Sequence, residues 1–185
     1  MVFISRLIRV LLLDIRTYEE IEQDKSAIWQ AVLVVILAGI AAGIDSYASV
    51  STGIFEIGNL RELIFGTGVD LLGWVIMSFI IYIIGSKLFA TSDTDTNLGE
   101  LLRVLGFASA PGIFRVLIFV PGISPFVWIV VWIWRFVAMI IAVRQAMDFE
   151  NTWKAIWVCV FGIITYFIVY LILIFALQLP KPIFN

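Results

Sequence analysis

Residues 101–147 read LLRVLGFASAPGIFRVLIFVPGISPFVWIVVWIWRFVAMIIAVRQAM, two apolar runs back to back that nevertheless hold Arg115 and Arg135. Pro121, Gly122 and Pro125 supply the turn between them. A guanidinium deep in hydrocarbon costs about 2.5–3.5 kcal/mol unless it faces protein or water. Such runs therefore have to come from a chain in which several helices pack together and shield the charges. Composition agrees, with 62% hydrophobic and 14% charged residues and a mean hydropathy of +1.08. Soluble domains carry about 25% charge. Lipid must be the solvent for much of this surface, and backbone in lipid has to be helical or closed into a barrel.

The pattern predicts an all-α polytopic membrane protein, a bundle of five transmembrane helices preceded by an N-terminal interfacial amphipathic helix. Each span is near the ~20 residues that cross about 30 Å of hydrocarbon. They are expected near residues 27–46, 68–90, 98–120, 125–147 and 153–179, forming a membrane domain over 27–179. Residues 1–26 are expected to be cytosolic or interfacial helices, and 180–185 a short tail. Within VFISRLIRVLLL, Ser5, Arg6 and Arg9 form a polar strip opposite Phe3, Leu7, Val10 and Leu11. That is the pattern of a helix lying in the interface with its arginines at the headgroups. Asp14 and Arg16 follow directly with no small-residue cleavage site, so the segment is expected to be retained. Thr17 and Glu20 have capping-box spacing, as do Asn97 and Glu100. The connector over 47–67 is expected to hold a short surface helix.

Small residues and proline mark the expected packing points. Gly39 and Gly43 have the GxxxG spacing that lets a neighbouring helix approach, and Gly106 is a third such position. Pro111 cannot donate to the Phe107 carbonyl, so it should bend the third span. Orientation follows from the basic residues near the span ends. With the N-terminus inside, Arg6, Arg9, Arg16, Lys25, Lys87, Arg103, Arg144 and Lys154 are inside, against Arg61, Arg115 and Lys181 outside. The N-terminus is therefore expected in the cytoplasm and the C-terminus outside, in a bacterial cytoplasmic membrane. That arrangement puts Asp45, Asp70 and Arg115 near one depth towards the outer leaflet, a candidate neutralising cluster. Arg135 should lie deeper, roughly 15 Å from the outer end of its helix, with no carboxylate at its level. Ser78, Tyr82, Ser109, Thr165 and Tyr166 are its expected company, with Trp132 available for a cation–π contact.

Catalytic readings find little support. The chain has no histidine and one cysteine, Cys159, which removes the commonest general base and zinc ligand and any internal disulfide. Gly66-Thr67-Gly68-Val69-Asp70 misses the Gly-x-Gly-Asp spacing of intramembrane aspartyl proteases by one residue. Asp93, Asp95 and Asn97 resemble the start of a calcium loop, but Leu98 and Val104 stand where glycine and glutamate are needed. No phosphate-binding glycine loop or flavin motif is present. No enzyme activity, cofactor or metal is expected, and the net charge of −2 points to no nucleic-acid partner.

Three stretches carry a family resemblance: LLLDIRTYEEIEQDKSAIWQA, LGELLRVLGFASAPGIFRVLIFVPGISP and WRFVAMIIAVRQAMDFENTWKAIWVCVFG. Together they resemble the bacterial branch of the YIP family, the Ypt/Rab-GTPase-interacting membrane proteins. The resemblance implies five spans and a cytosolic N-terminus. Similar eukaryotic proteins bind prenylated Rab-type GTPases and act in vesicle traffic. The expected function is a non-enzymatic membrane scaffold or interaction protein in membrane organisation or trafficking, partnered by the bilayer and by other membrane proteins or a second copy. The alternatives are a small oligomeric channel or transporter with a polar path along Asp45, Asp70, Arg115 and Arg135, and a lipid-handling protein.

Overall fold

Apolar runs in hydrocarbon must close their backbone hydrogen bonds internally, and every regular element of this chain is accordingly helical among the described residues. The computed structural model describes residues 2–50, 60–90, 96–119 and 124–178. Two short helices, α1 (Val2–Leu11) and α2 (Ile15–Gln23), precede the long ones. Next come α3 (Ala27–Val50) and α4 (Leu60–Leu88). Helix α5 (Leu98–Ala108) leads into a 3-10 segment (Ala110–Phe119). Last are α6 (Ser124–Ala146) and α7 (Thr152–Gln178). Of the expected connector helix, residues 47–50 belong to α3 and 60–67 to α4; 51–59 lie outside the described residues. Asp93, Asp95 and the 180–185 tail also lie outside them.

Helices α3, α4, α6 and α7 each contain a continuous apolar stretch long enough to cross a membrane. The stretch expected as the third span is in two pieces. At 1.5 Å per residue in α5 and 2.0 Å in the 3-10 segment, the pieces add to roughly 35 Å, enough for the same crossing. The expected bend at Pro111 is in fact a full change of helix type that begins at Ser109. Proline disfavours the α conformation in the residue before it and its ring collides with the carbonyl four positions back. The loosened carbonyls are taken by Ser109: its N–H donates to the Gly106 and Phe107 carbonyls, and its hydroxyl donates to the Leu105 carbonyl at 3.2 Å.

Helix α3 is the spine. It packs on α4, on α5 and on the 3-10 segment, and small side chains on it set the distances. A Cβ on Gly106 would come within 2.7 Å of the Ala31 Cβ and 3.2 Å of its Cα. At Gly39 it would lie 3.2 Å from the Thr67 Cα. Gly43 is half-buried on α3. Indoles add directional ties: Trp74 of α4 donates to the Leu102 carbonyl at 3.2 Å, and Trp134 of α6 to the Leu11 carbonyl at 3.1 Å. These two indoles fasten helices together.

The side of the bundle that carries α1 and α2 (the near side) is held by polar bonds. Helix α1 ends with Leu13 at φ 60°, where the Asp14 N–H reaches the Arg9 carbonyl at 3.0 Å, a Schellman closure. Asp14 caps α2 by accepting from the Arg16 N–H and from the Thr17 hydroxyl at 2.9 Å. The Thr17–Glu20 capping box therefore does not form, because Asp14 occupies the cap and Glu20 binds Arg9. At α5 the expected box is present, Asn97 and Glu100 bonding reciprocally. Arg103, 7% exposed, donates from α5 to the Ile21 and Glu22 carbonyls, closing the carbonyl end of α2.

Two predictions follow from this packing. Gly106→Ala should lower stability by about 1–3 kcal/mol, the usual range for overpacking, because the obstruction is Ala31 including its backbone; a detergent melt within error of wild type would refute the close approach. Burial, with Asp148 and Glu100 nearby, pushes the Glu22 carboxyl up to about 7. A carboxyl raised on folding favours the protonated native state, so stability is lost as pH rises from about 4.5 through 7. Glu22→Gln should therefore match wild type at pH 4 and exceed it at pH 8, by on the order of 1 kcal/mol after solvent screening. Equal melting at pH 8 would contradict it.

Candidate functional site

The change of helix type at Ser109 reshapes the middle of the membrane. Helix α5 packs against α3, α4 and α6 together. Beyond the break the 3-10 segment stays on α3 and α6 but makes no comparable packing against α4. Helix α1 also packs against the 3-10 segment.

Arg135 stands on α6 beside this segment. It follows Val131 by four residues and precedes Ala142 by seven, spacings that put all three on one side of α6. Val131, Ala138 and Ala142 are buried, so this is the inward face. Arg135 nevertheless has an exposed side chain, although protein crowds it on all sides within a wider radius. Its side chain therefore keeps accessible surface although much of the bundle lies around it. One and two turns further along α6, Trp132 and Trp128 are also exposed, and their rings meet each other at 5.7 Å. Trp132 pairs with Trp128 in place of the expected cation–π contact.

The groups shown to act on Arg135 come from the 3-10 segment and α4. The position of a Cβ on Gly112 is 3.6 Å from Arg135 Nη1 and 3.7 Å from its Cδ, so the guanidinium stem lies along bare backbone of the 3-10 segment. Residues three apart eclipse in such a helix, which stacks Arg115 on the Gly112 face. Asp70 of α4 and Arg115 are the charged groups that act on Arg135. Asp70 also acts on the hydroxyl of Tyr166 in α7, and that hydroxyl fits the notch at Gly73, 2.7 Å from where a Cβ would be. Asp70 itself rests on α3, its Cβ 3.4 Å from the Cβ position of Gly39.

Asp70, Arg115 and Arg135 are thus brought into one electrostatic neighbourhood. Asp45 lies in α3, its side chain outside the described residues. Asp70 is the carboxylate that acts on Arg135, by charge at a distance. Arg6 and Arg9 belong to another place: Arg6 bonds Asp24 at 2.7 Å and Arg9 bonds Asp14 at 2.8 Å and Glu20 at 3.0 Å. Their charges are met by the protein's own carboxylates. Gly112 and Gly73 were not anticipated; the Pro111-Gly112 dipeptide is the one signal that pointed to unusual backbone there.

Chemically, the arrangement gathers charge among the long helices, and no bond joins Asp70 to Arg135 among the described residues. Among the described residues no three His, Cys, Asp or Glu side chains are placed to hold a metal ion.

Comparison with known proteins agrees with this architecture. A family model described as the Yip1 domain matches residues 8–173. No curated protein and no solved structure gives a significant match. The family match begins within α1, takes in the broken third span and ends within α7, so the chain belongs to the Yip1-domain family of membrane proteins.

Proposed function

We propose that this Yip1-domain protein is a non-enzymatic membrane scaffold, acting from the near side by lodging a fixed helix in one leaflet. The observation that carries this reading is the two-sided character of α1. Phe3 and Leu7 pack with buried Val10 against the core, and the Phe3 ring meets that of Phe107 at 6.4 Å. On the other side Val2, Ile4, Ile8 and Leu12 are exposed, with Ile15 of α2 continuing the stripe. Exposed aliphatic residues at helical spacing suit the boundary between headgroups and acyl chains.

The helix is also rigidly placed. Trp134 holds its last turn, Arg6 ties it to Asp24, and Gln145 of α6 joins Glu19 of α2 at 2.8 Å. A helix fixed in this way adds volume to one leaflet only, which is a route to bending or sorting membrane around the bundle. The near side is the cytoplasmic one in this reading, supported by the excess of basic residues there. Other membrane proteins, or a second copy, would meet the lipid-facing sides of α6 and α7.

Reconstitution tests the proposal. Vesicles containing the wild-type chain should be smaller than protein-free vesicles by electron microscopy, and a triple substitution Ile4→Glu, Ile8→Glu and Leu12→Glu should remove the difference. Unchanged vesicle size with the wild type, or the same effect with the triple variant, would overturn it. Ion flux should be absent from both wild-type and Arg135→Leu proteoliposomes; flux that disappears with Arg135→Leu would replace scaffolding with transport. Cysteines at Ser26 and Ser124 should label from opposite sides of the membrane, Ser26→Cys from the cytoplasmic one, against a background in which Cys159 is buried.

A further inference from the structure

We infer that α1 engages the acyl chains of near-leaflet phospholipids and is indifferent to headgroup charge, because its arginines are met by carboxylates of the protein itself. The inference rests on the reading of α1 as a helix lodged in one leaflet, and it names the part of the lipid that the helix meets.

Depth comes from the contacts at the two ends of α1. At one end the Phe3 ring meets that of Phe107 at 6.4 Å, and Phe107 is roughly 14 Å along α5 from Leu98. At the other, the Leu11 carbonyl accepts from Trp134 at 3.1 Å, and Trp134 is roughly 18 Å along α6 from Ala146. Helix α1 also packs on the 3-10 segment, past the end of α5. Comparable depths at both ends lay α1 across the bundle, below the near ends of α5 and α6. From there Arg6 reaches back to Asp24 at 2.7 Å and to Gln30 in the first turn of α3 at 3.3 Å. That is the direction in which a long cationic side chain leaves hydrocarbon. Trp29, next to Gln30 and 77% exposed, stands where aromatic side chains mark a membrane boundary. The exposed stripe of Val2, Ile4, Ile8 and Leu12 is therefore level with acyl chains.

Charge decides which lipids the stripe accepts. Helices drawn to a bilayer by charge present free Lys and Arg to anionic headgroups. Here Arg6 keeps only 12% of its side-chain surface beside Asp24, and Arg9 is shared between Asp14 at 2.8 Å and Glu20 at 3.0 Å. Residues 2–25 hold four basic and five acidic side chains, so the segment as a whole offers no positive field. Arg16 is exposed just past the stripe, but Glu19 and Glu20 are exposed on the same short helix. What α1 leaves for lipid is aliphatic, and its hold on the leaflet scales with buried apolar area alone.

The test uses the full-length chain with Ile8→Cys labelled with bimane, Cys159 being buried. It is reconstituted in dioleoylphosphatidylcholine alone or with about one third dioleoylphosphatidylglycerol. A nitroxide halfway along an acyl chain should quench the label roughly twofold more than one on the headgroup, and equally in the two mixtures. Glu20→Gln with Asp24→Asn unties Arg6 and loosens Arg9, and its quenching should differ between the mixtures. If that variant does not fold, Ser5→Lys replaces it, adding a cation to the exposed edge of α1 with the same result expected. Acyl quenching that needs phosphatidylglycerol in the wild type, a label reached by aqueous iodide but by neither nitroxide, or a charge variant as indifferent as wild type would overturn the inference. Strong and equal acyl quenching in vesicles whose size the protein leaves unchanged would uphold it and remove the scaffold reading. Smaller vesicles with phosphatidylglycerol-dependent quenching would do the reverse.

Discussion

Inside hydrocarbon a backbone carbonyl has no water to turn to, and that single constraint organises the third span. Pro111 withdraws a donor from the helix ladder and forbids the α geometry just before it. In a soluble protein, solvent would repair the break. Here Ser109 does so, with its N–H shared between Gly106 and Phe107 and its hydroxyl on Leu105. The repair fixes where α5 stops, and the chain continues as a 3-10 segment of ten residues, longer than the three or four usual for that helix type. Its tighter winding keeps Gly112 and Arg115 on one face and carries the span along α3 and α6, away from α4. The placing of Gly112 beside Arg135 is a consequence of how one carbonyl problem was solved.

The two ends of the bundle treat charge differently. On the near side, cations meet partners at bonding distance: Arg6 with Asp24, Arg9 with Asp14 and Glu20, Arg103 with the carbonyl end of α2. The carboxylates respond as expected of paired groups. Ser26 and Arg6 hold Asp24 down at about 2, and Arg9, with help from Thr17, lowers Asp14. Exposed pairs of this kind contribute little energy each, but they fix the position of α1, which is what a wedge in one leaflet requires. Arg135 has no such bonded partner among the described residues, and the charges of Asp70 and Arg115 act on it from a distance.

How much of this was legible beforehand depended on whether the signal was local. Helix existence followed from apolar length, and the Asn97–Glu100 box from two residues three apart, because each depends only on near neighbours. The relation of Arg135 to Asp70 was not readable by counting residues, since a fixed rise treats helices as straight and level, whereas the approach of α4 to α6 depends on tilt. The Thr17–Glu20 box failed for a similar reason: Glu20 had a better partner in Arg9, eleven residues earlier and on another helix. Proline at 111 announced a distortion, but not that a serine two positions earlier would move the break and change the helix type.

Energetic scale explains why the arginine can remain where it is. Two opposite unit charges about 8 Å apart attract by ~2 kcal/mol at an effective dielectric near 20. Removing a guanidinium from water into protein costs several kcal/mol. An Asp70 acting from a distance cannot offset that cost by itself, and Arg115 works against it. The balance closes only if Arg135 is never fully dehydrated, which is what its exposed side chain on an otherwise buried face provides.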